Sequence, residues 1–99
     1  MELGLRHKRA LVTGSSAGLG RAIAEMLAAE GASVVVHGRD ADRTQAVVSA
    51  IGANGGEAVA VLGDLSTDEG AAAVAHAAGE IDILVNNAAR QQNKDSILD

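Results

Sequence analysis

The run Thr13-Gly14-Ser15-Ser16-Ala17-Gly18-Leu19-Gly20 constrains the fold of this chain more than any other. It follows a short apolar stretch, Ala10-Leu11-Val12, and precedes a segment in which Leu19, Ile23, Met26 and Leu27 recur at helical spacing. A glycine-rich turn between a buried strand and a helix is a context in which backbone binds phosphate. Gly14 permits a tight turn that a β-carbon would obstruct. Gly18 lets the backbone approach a pyrophosphate, and Gly20 lets the helix pack closely on the sheet. The first N–H groups of the helix are free, and the positive end of its dipole attracts anions. The hydroxyls of Ser15 and Ser16 are expected to add donors.

Strand-like and helix-like segments alternate through the rest of the chain. Residues 9–13 read as the first strand. Residues 18–30 read as a helix with Gly31 at its C-terminal cap. Residues 33–37 hold Val34-Val35-Val36, a β-branched run typical of a strand covered on both faces. Asp40 is expected to cap a second helix running to about Ile51, where Gly52 and then Asn54-Gly55-Gly56 stop it. Residues 57–62 read as a third strand. Ser66-Thr67-Asp68-Glu69 has capping-box spacing and opens an Ala-rich helix ending near Gly79. Residues 81–85 read as a fourth strand. Short connections and right-handed crossovers then predict an α/β, Rossmann-type parallel sheet of order 3-2-1-4 with flanking helices, truncated after the fourth strand. On this reading residues 1–89 form a dinucleotide-binding half and residues 90–99 a tail leading toward an absent catalytic half.

Composition removes several function classes. The chain has 99 residues and no Phe, Tyr or Trp, so Ala, Val, Leu and Ile must build its core. Small side chains suit close helix-on-sheet packing, but each buries little area. The net charge of −5 and the missing aromatic residues argue against nucleic acid as a partner. With no Cys there is no disulfide framework or thiol nucleophile. No apolar run approaches the roughly 20 residues of a membrane span. Arg6, Lys8 and Arg9 precede too short an apolar run for a signal peptide, so a soluble, cytoplasmic chain is expected. Lys8 and Arg9 are expected to face solvent. His7, His37 and His76 show no metal-ligand spacing, and His37 is expected to be a packing or loop residue.

The spacing G-x-x-x-G-x-G after Thr13 resembles the short-chain dehydrogenase/reductase family, whose motif is T-G-x-x-x-G-x-G. Asp64-Leu65 after the third strand is similar to the family's adenine contact. Asn86-Asn87-Ala88-Ala89 after the fourth resembles its N-N-A-G, with Ala89 in place of the last Gly. The resemblance covers nearly the whole chain. It implies an oxidoreductase that transfers hydride between a nicotinamide cofactor and a carbonyl or alcohol substrate, from a homo-oligomeric parent. It also implies roles for residues. Gly14, Ser15, Ser16, Gly18, Leu19 and Gly20 would hold the pyrophosphate, Asp64 and Leu65 the adenine, and Asn86, Asn87 and Ala88 the ribose. At the end of the second strand, Gly38 stands where an NAD-preferring member has Asp. Arg39 follows, and a guanidinium can pair with a 2′-phosphate, which favours NADP over NAD. The alternative is a solvated Arg39, with Asp40 reaching the ribose.

The family's chemistry uses a Tyr, a Lys four residues later and a Ser. This sequence has no Tyr, and Lys94 and Ser96 lack that spacing. No catalytic residue carries over, so the chain is expected to bind cofactor without turnover. Two further readings stand beside this one. The first is a non-catalytic dinucleotide-binding or interaction module using the same pocket. The second is an S-adenosylmethionine-binding Rossmann domain, which the glycine spacing and the missing acidic residue after the second strand disfavour.

Overall fold

The computed structural model describes residues 4–87. The chain alternates as β1 (Arg9–Val12), α1 (Gly18–Ala29), β2 (Ser33–Gly38), α2 (Ala41–Ala53), β3 (Glu57–Leu62), α3 (Asp68–Ala78) and β4 (Ile83–Val85). The strands form one parallel sheet of order β3-β2-β1-β4, as the alternation predicts. Val34, Val35 and Val36 pair with Ala10, Leu11 and Val12 on one side and with Ala58, Val59 and Ala60 on the other. Successive connections move outward from β1 to β3. The connection after β3 then carries the chain back past β2 and β1 to β4. The order therefore reverses beside β1, and in open sheets the crevice at such a reversal is where ligands bind.

Strand alternation sends Ala10, Val12, Val34 and Val36 to one face, where Ala24, Ala28, Val47 and Ile51 of α1 and α2 cover them. Leu11, Val35 and Val61 point to the other face and meet Val74 and Ala78 of α3. That second face is thinly covered, and Val59 and Leu84 remain 46% and 63% exposed.

The helix boundaries show where local signals misplace residues. The buried face of α1 is Gly20, Ala24 and Ala28, while Leu19 and Met26 are more than half exposed. The helix approaches the sheet through its small residues, and its large ones are pushed aside. Gly52 lies within α2, which continues to Ala53, because a helix tolerates a lone glycine near its end. The cap of α3 is Thr67, whose hydroxyl accepts from the Gly70 amide at 2.9 Å, and not Ser66. Ser66 is engaged elsewhere, as described below. Arg9 does not simply face solvent: its Nε donates to the Ala78 carbonyl at 2.9 Å, in the last turn of α3. A cation there complements the negative helix end. Among the described residues, no helix is long and apolar enough to cross a membrane.

Candidate functional site

The turns that follow the strands converge beyond the carboxyl ends of the sheet. Gly14, in the left-handed region at φ 63°, begins the turn after β1. Its amide donates to Nδ1 of His37, at the end of β2, at 2.9 Å. The other ring nitrogen of His37 lies 2.8 Å from the Gly63 carbonyl, after β3. The Asn87 side chain, after β4, donates to the Gly14 carbonyl at 3.1 Å. Side-chain bonds thus join all four turns. The turns after β1, β2 and β3 border a cavity of about 480 Å³ lined by residues that include Gly14, Ser16, Ala17, Gly38, Arg39 and Asp64, a size common for ligand pockets.

The glycines of the turn have separable roles. Gly18 adopts φ 60°, and a β-carbon there would meet nothing within 4 Å, so the space above it is open. Gly20 is enclosed. A β-carbon there would lie 2.7 Å from Nδ2 of Asn87 and nearer still to the Gly14 carbonyl oxygen. Helix α1 begins after Ala17, whose side chain cannot cap it, and its first turn holds no acidic residue. By contrast, α2 and α3 are capped by Asp40 and Thr67. The N–H groups that begin α1 therefore keep an unanswered donor capacity next to the cavity.

The two serines divide. Ser16 lines the cavity. Ser15 is fully buried and faces inward. Its hydroxyl donates to the Val12 carbonyl at 2.6 Å and accepts the His37 amide at 2.9 Å. Its own amide donates to the His37 carbonyl at 2.8 Å. The expected hydroxyl donor at Ser15 is thus corrected: both its polar groups are spent on extending the β1–β2 contact.

At the end of β2, Gly38 is walled in. A β-carbon there would lie 2.9 Å from Cβ and Oγ of Ser16 and closer to Oγ1 of Thr44. Arg39 is 75% exposed, and its Nη1 lies 3.9 Å from Oδ2 of Asp64 across the cavity. Asp40 lines the cavity too, and its Oδ1 accepts the Arg43 amide at 3.0 Å, so one of its carboxylate oxygens caps the helix. Arg43 itself lines the cavity, a second guanidinium that the motif reading missed. Its position one turn beyond Arg39 was the available signal.

Oδ1 of Asp64 accepts both the hydroxyl and the amide of Ser66, at 2.7 and 2.9 Å. The hydroxyl bond is the main reason its carboxyl is held below the ordinary value. The amide bond adds to this, slight burial opposes it, and Arg39 contributes least. Leu65 lines the same cavity and packs against the α3 face of the core. Leu19 is 56% exposed at the start of α1. Asn86 is exposed, and its Oδ1 lies 3.3 Å from the Thr13 hydroxyl. Asn87 is buried, and its amide group is turned toward Gly14. Ala88 lies outside the described residues.

A family model for short chain dehydrogenases matches residues 8–98. The chain is 44% identical over 89 residues to the uncharacterized oxidoreductase YvaG of Bacillus subtilis, covering 88% of this chain and 34% of that protein. L-Sorbose reductase from Gluconobacter frateurii, solved in complex with NADPH and L-sorbose, superposes with a TM-score of 0.83 and 40% identity. That match covers 88% of this chain and 35% of the reductase. A 3-oxoacyl (acyl-carrier-protein) reductase from Agrobacterium tumefaciens C58, solved with NADP bound, gives a TM-score of 0.77 and 48% identity, over 85% of this chain and 34% of that one. The chain thus spans 34–36% of the length of three curated relatives that it matches, YvaG among them.

Proposed function

The chain belongs to the short chain dehydrogenase family, and from that premise we propose that it binds NADP(H), in preference to NAD(H), in the cavity beyond the strand ends. The observation that carries this reading is the start of α1. Alone among the helices of the described residues it lacks a side-chain cap; Ala17, which precedes it, lines the cavity, and there is free space above Gly18. A diphosphate is the acceptor those amides need.

The remaining residues fit the same ligand. Ser16 has a hydroxyl beside the phosphate turn. Leu65 offers an apolar wall to adenine, and Oδ2 of Asp64, which takes no bond from Ser66 and lies 3.9 Å from Nη1 of Arg39, suits its amino group. Arg39, with Arg43 behind it, supplies the charge a 2′-phosphate requires. The NAD reading fares worse on two counts. One carboxylate oxygen of Asp40 is occupied as a helix cap. An Asp at position 38 has no room beside Ser16 and Thr44. Two solved relatives carry NADP or NADPH, which supports the same choice.

When bound, the nicotinamide carries the hydride, and in the proposed parent enzyme it exchanges it with a carbonyl or alcohol carbon. The contribution of these residues is to grip the adenosine and diphosphate and to fix their orientation. With no Tyr in the sequence, the chain is expected to bind without turnover. The test is a calorimetric titration of the 99-residue chain with NADPH, NADH and S-adenosylmethionine. Binding of NADPH at least about tenfold tighter than NADH supports the proposal, a ratio consistent with added charge-assisted bonds to one phosphate. Equal affinities sink the NADP preference, and binding of S-adenosylmethionine alone sinks the dinucleotide reading.

A further inference from the structure

His37 interrupts an otherwise apolar strand and is 3% exposed. Its two ring bonds determine its protonation state. The Gly14 amide can only donate, so Nδ1 must be bare. The Gly63 carbonyl can only accept, so Nε2 must carry the hydrogen. One neutral tautomer satisfies both partners. A protonated ring would set an N–H at Nδ1 against the N–H of Gly14 and break that tie. Gly14 opens the turn that leads to α1, and Gly63 opens the turn that carries Asp64 and Leu65.

We propose that His37 is a positioning residue: as its neutral Nε2–H tautomer it holds the phosphate-side turn and the adenine-side turn at a fixed separation. This rests on reading the cavity as an NADP(H) site. The charged groups that share the cavity with the ring are Arg39 in the turn after β2, Asp40 and Arg43 at the start of α2, and Asp64 after β3. The phosphate-side turn brings none. Asp40 is bonded to the Arg43 amide and Asp64 to Ser66. Asparagine and glutamine separate the two ties. The Oδ1 of an asparagine occupies the place of Nδ1, so His37→Asn keeps an acceptor for Gly14. The amide nitrogen of a glutamine reaches the place of Nε2, so His37→Gln keeps a donor for Gly63.

The experiment uses the 15N-labelled full chain. Imidazole 15N–1H correlations on the free protein read the tautomer, and calorimetry with NADP+ at about pH 8 reads affinity. The wild type is expected to show Nε2–H with bare Nδ1. His37→Asn should bind within about threefold of wild type near pH 8, and His37→Leu about tenfold more weakly, the scale of one buried hydrogen bond. His37→Gln should fall between them. If His37→Leu does not fold, the wild-type spectrum and the asparagine and glutamine variants still decide. A proton on Nδ1, or affinities that track wild type in every folded variant, overturns the inference while leaving cofactor binding intact. A wild-type chain that takes up no NADP+ defeats the cofactor reading itself, and this inference with it.

Discussion

Replacing Gly20 with alanine tests how closely α1 must approach the turn that precedes it. The added methyl would lie 2.7 Å from the Asn87 amide nitrogen and closer to the Gly14 carbonyl oxygen. Both neighbours are held: Gly14 by His37, and Asn87 by its own bond to that carbonyl. The methyl therefore has to displace backbone. Overpacking of this kind costs about 1–3 kcal/mol, and loss of the Asn87–Gly14 bond adds about 1 kcal/mol. Better helix propensity returns up to about 1 kcal/mol, less in the first turn. The net loss is about 1–4 kcal/mol, which for a domain near this size lowers Tm by about 5–30 °C. Far-UV circular dichroism is the suitable melt, because the chain has no aromatic residue to report in the near-UV. The same displacement moves the turn, so NADPH affinity should fall with stability. A Gly20→Ala variant that melts within about 2 °C of wild type and binds NADPH equally would refute the argument from packing, since 2 °C corresponds to well under 1 kcal/mol here.

Two other perturbations read different parts of the site. Arg39→Ala should weaken NADPH by about tenfold, with the difference shrinking at high salt because the guanidinium is exposed, and should leave NADH nearly unchanged. Parallel calorimetric titrations check this, and equal losses for both cofactors would remove Arg39 from 2′-phosphate recognition. Ser66→Ala should raise the Asp64 titration midpoint, because the hydroxyl of Ser66 is the main cause of its depression. A carboxyl lowered in the folded state adds stability above its ordinary range, and that contribution is lost as pH falls through the lowered value. Carboxyl-detected NMR follows the midpoint directly, and an unmoved midpoint in the variant would assign the depression elsewhere.

The sheet order and the phosphate turn were legible in the sequence because each is set locally. Val34-Val35-Val36 is typical of a buried strand, short right-handed crossovers leave few arrangements, and the glycine spacing needs no distant partner. What the sequence concealed depends on distant contacts. Ser15 looks as accessible as Ser16, and only the proximity of Val12 and His37 turns it inward. His37 looks like a packing residue until Gly14 and Gly63 are brought to either side of it. Leu19 and Met26 fit a helical stripe, yet the helix seats on Gly20, Ala24 and Ala28. The periodicity finds apolar residues but does not say which will fit beneath. Ser66 and Thr67 compete for one cap, and the contest is decided by Asp64, which takes Ser66.

Ala17 gives α1 a start that the protein leaves unfinished. Its sister helices close their own ends, whereas under the proposal a bound diphosphate would close this one. Folding and occupancy would then be linked: at a ligand concentration a hundred times its Kd, binding would add about 2.7 kcal/mol to the stability of the domain. For so small a core that is a large share of what holds it together. The cofactor in this reading is a missing piece of secondary structure as well as a passenger.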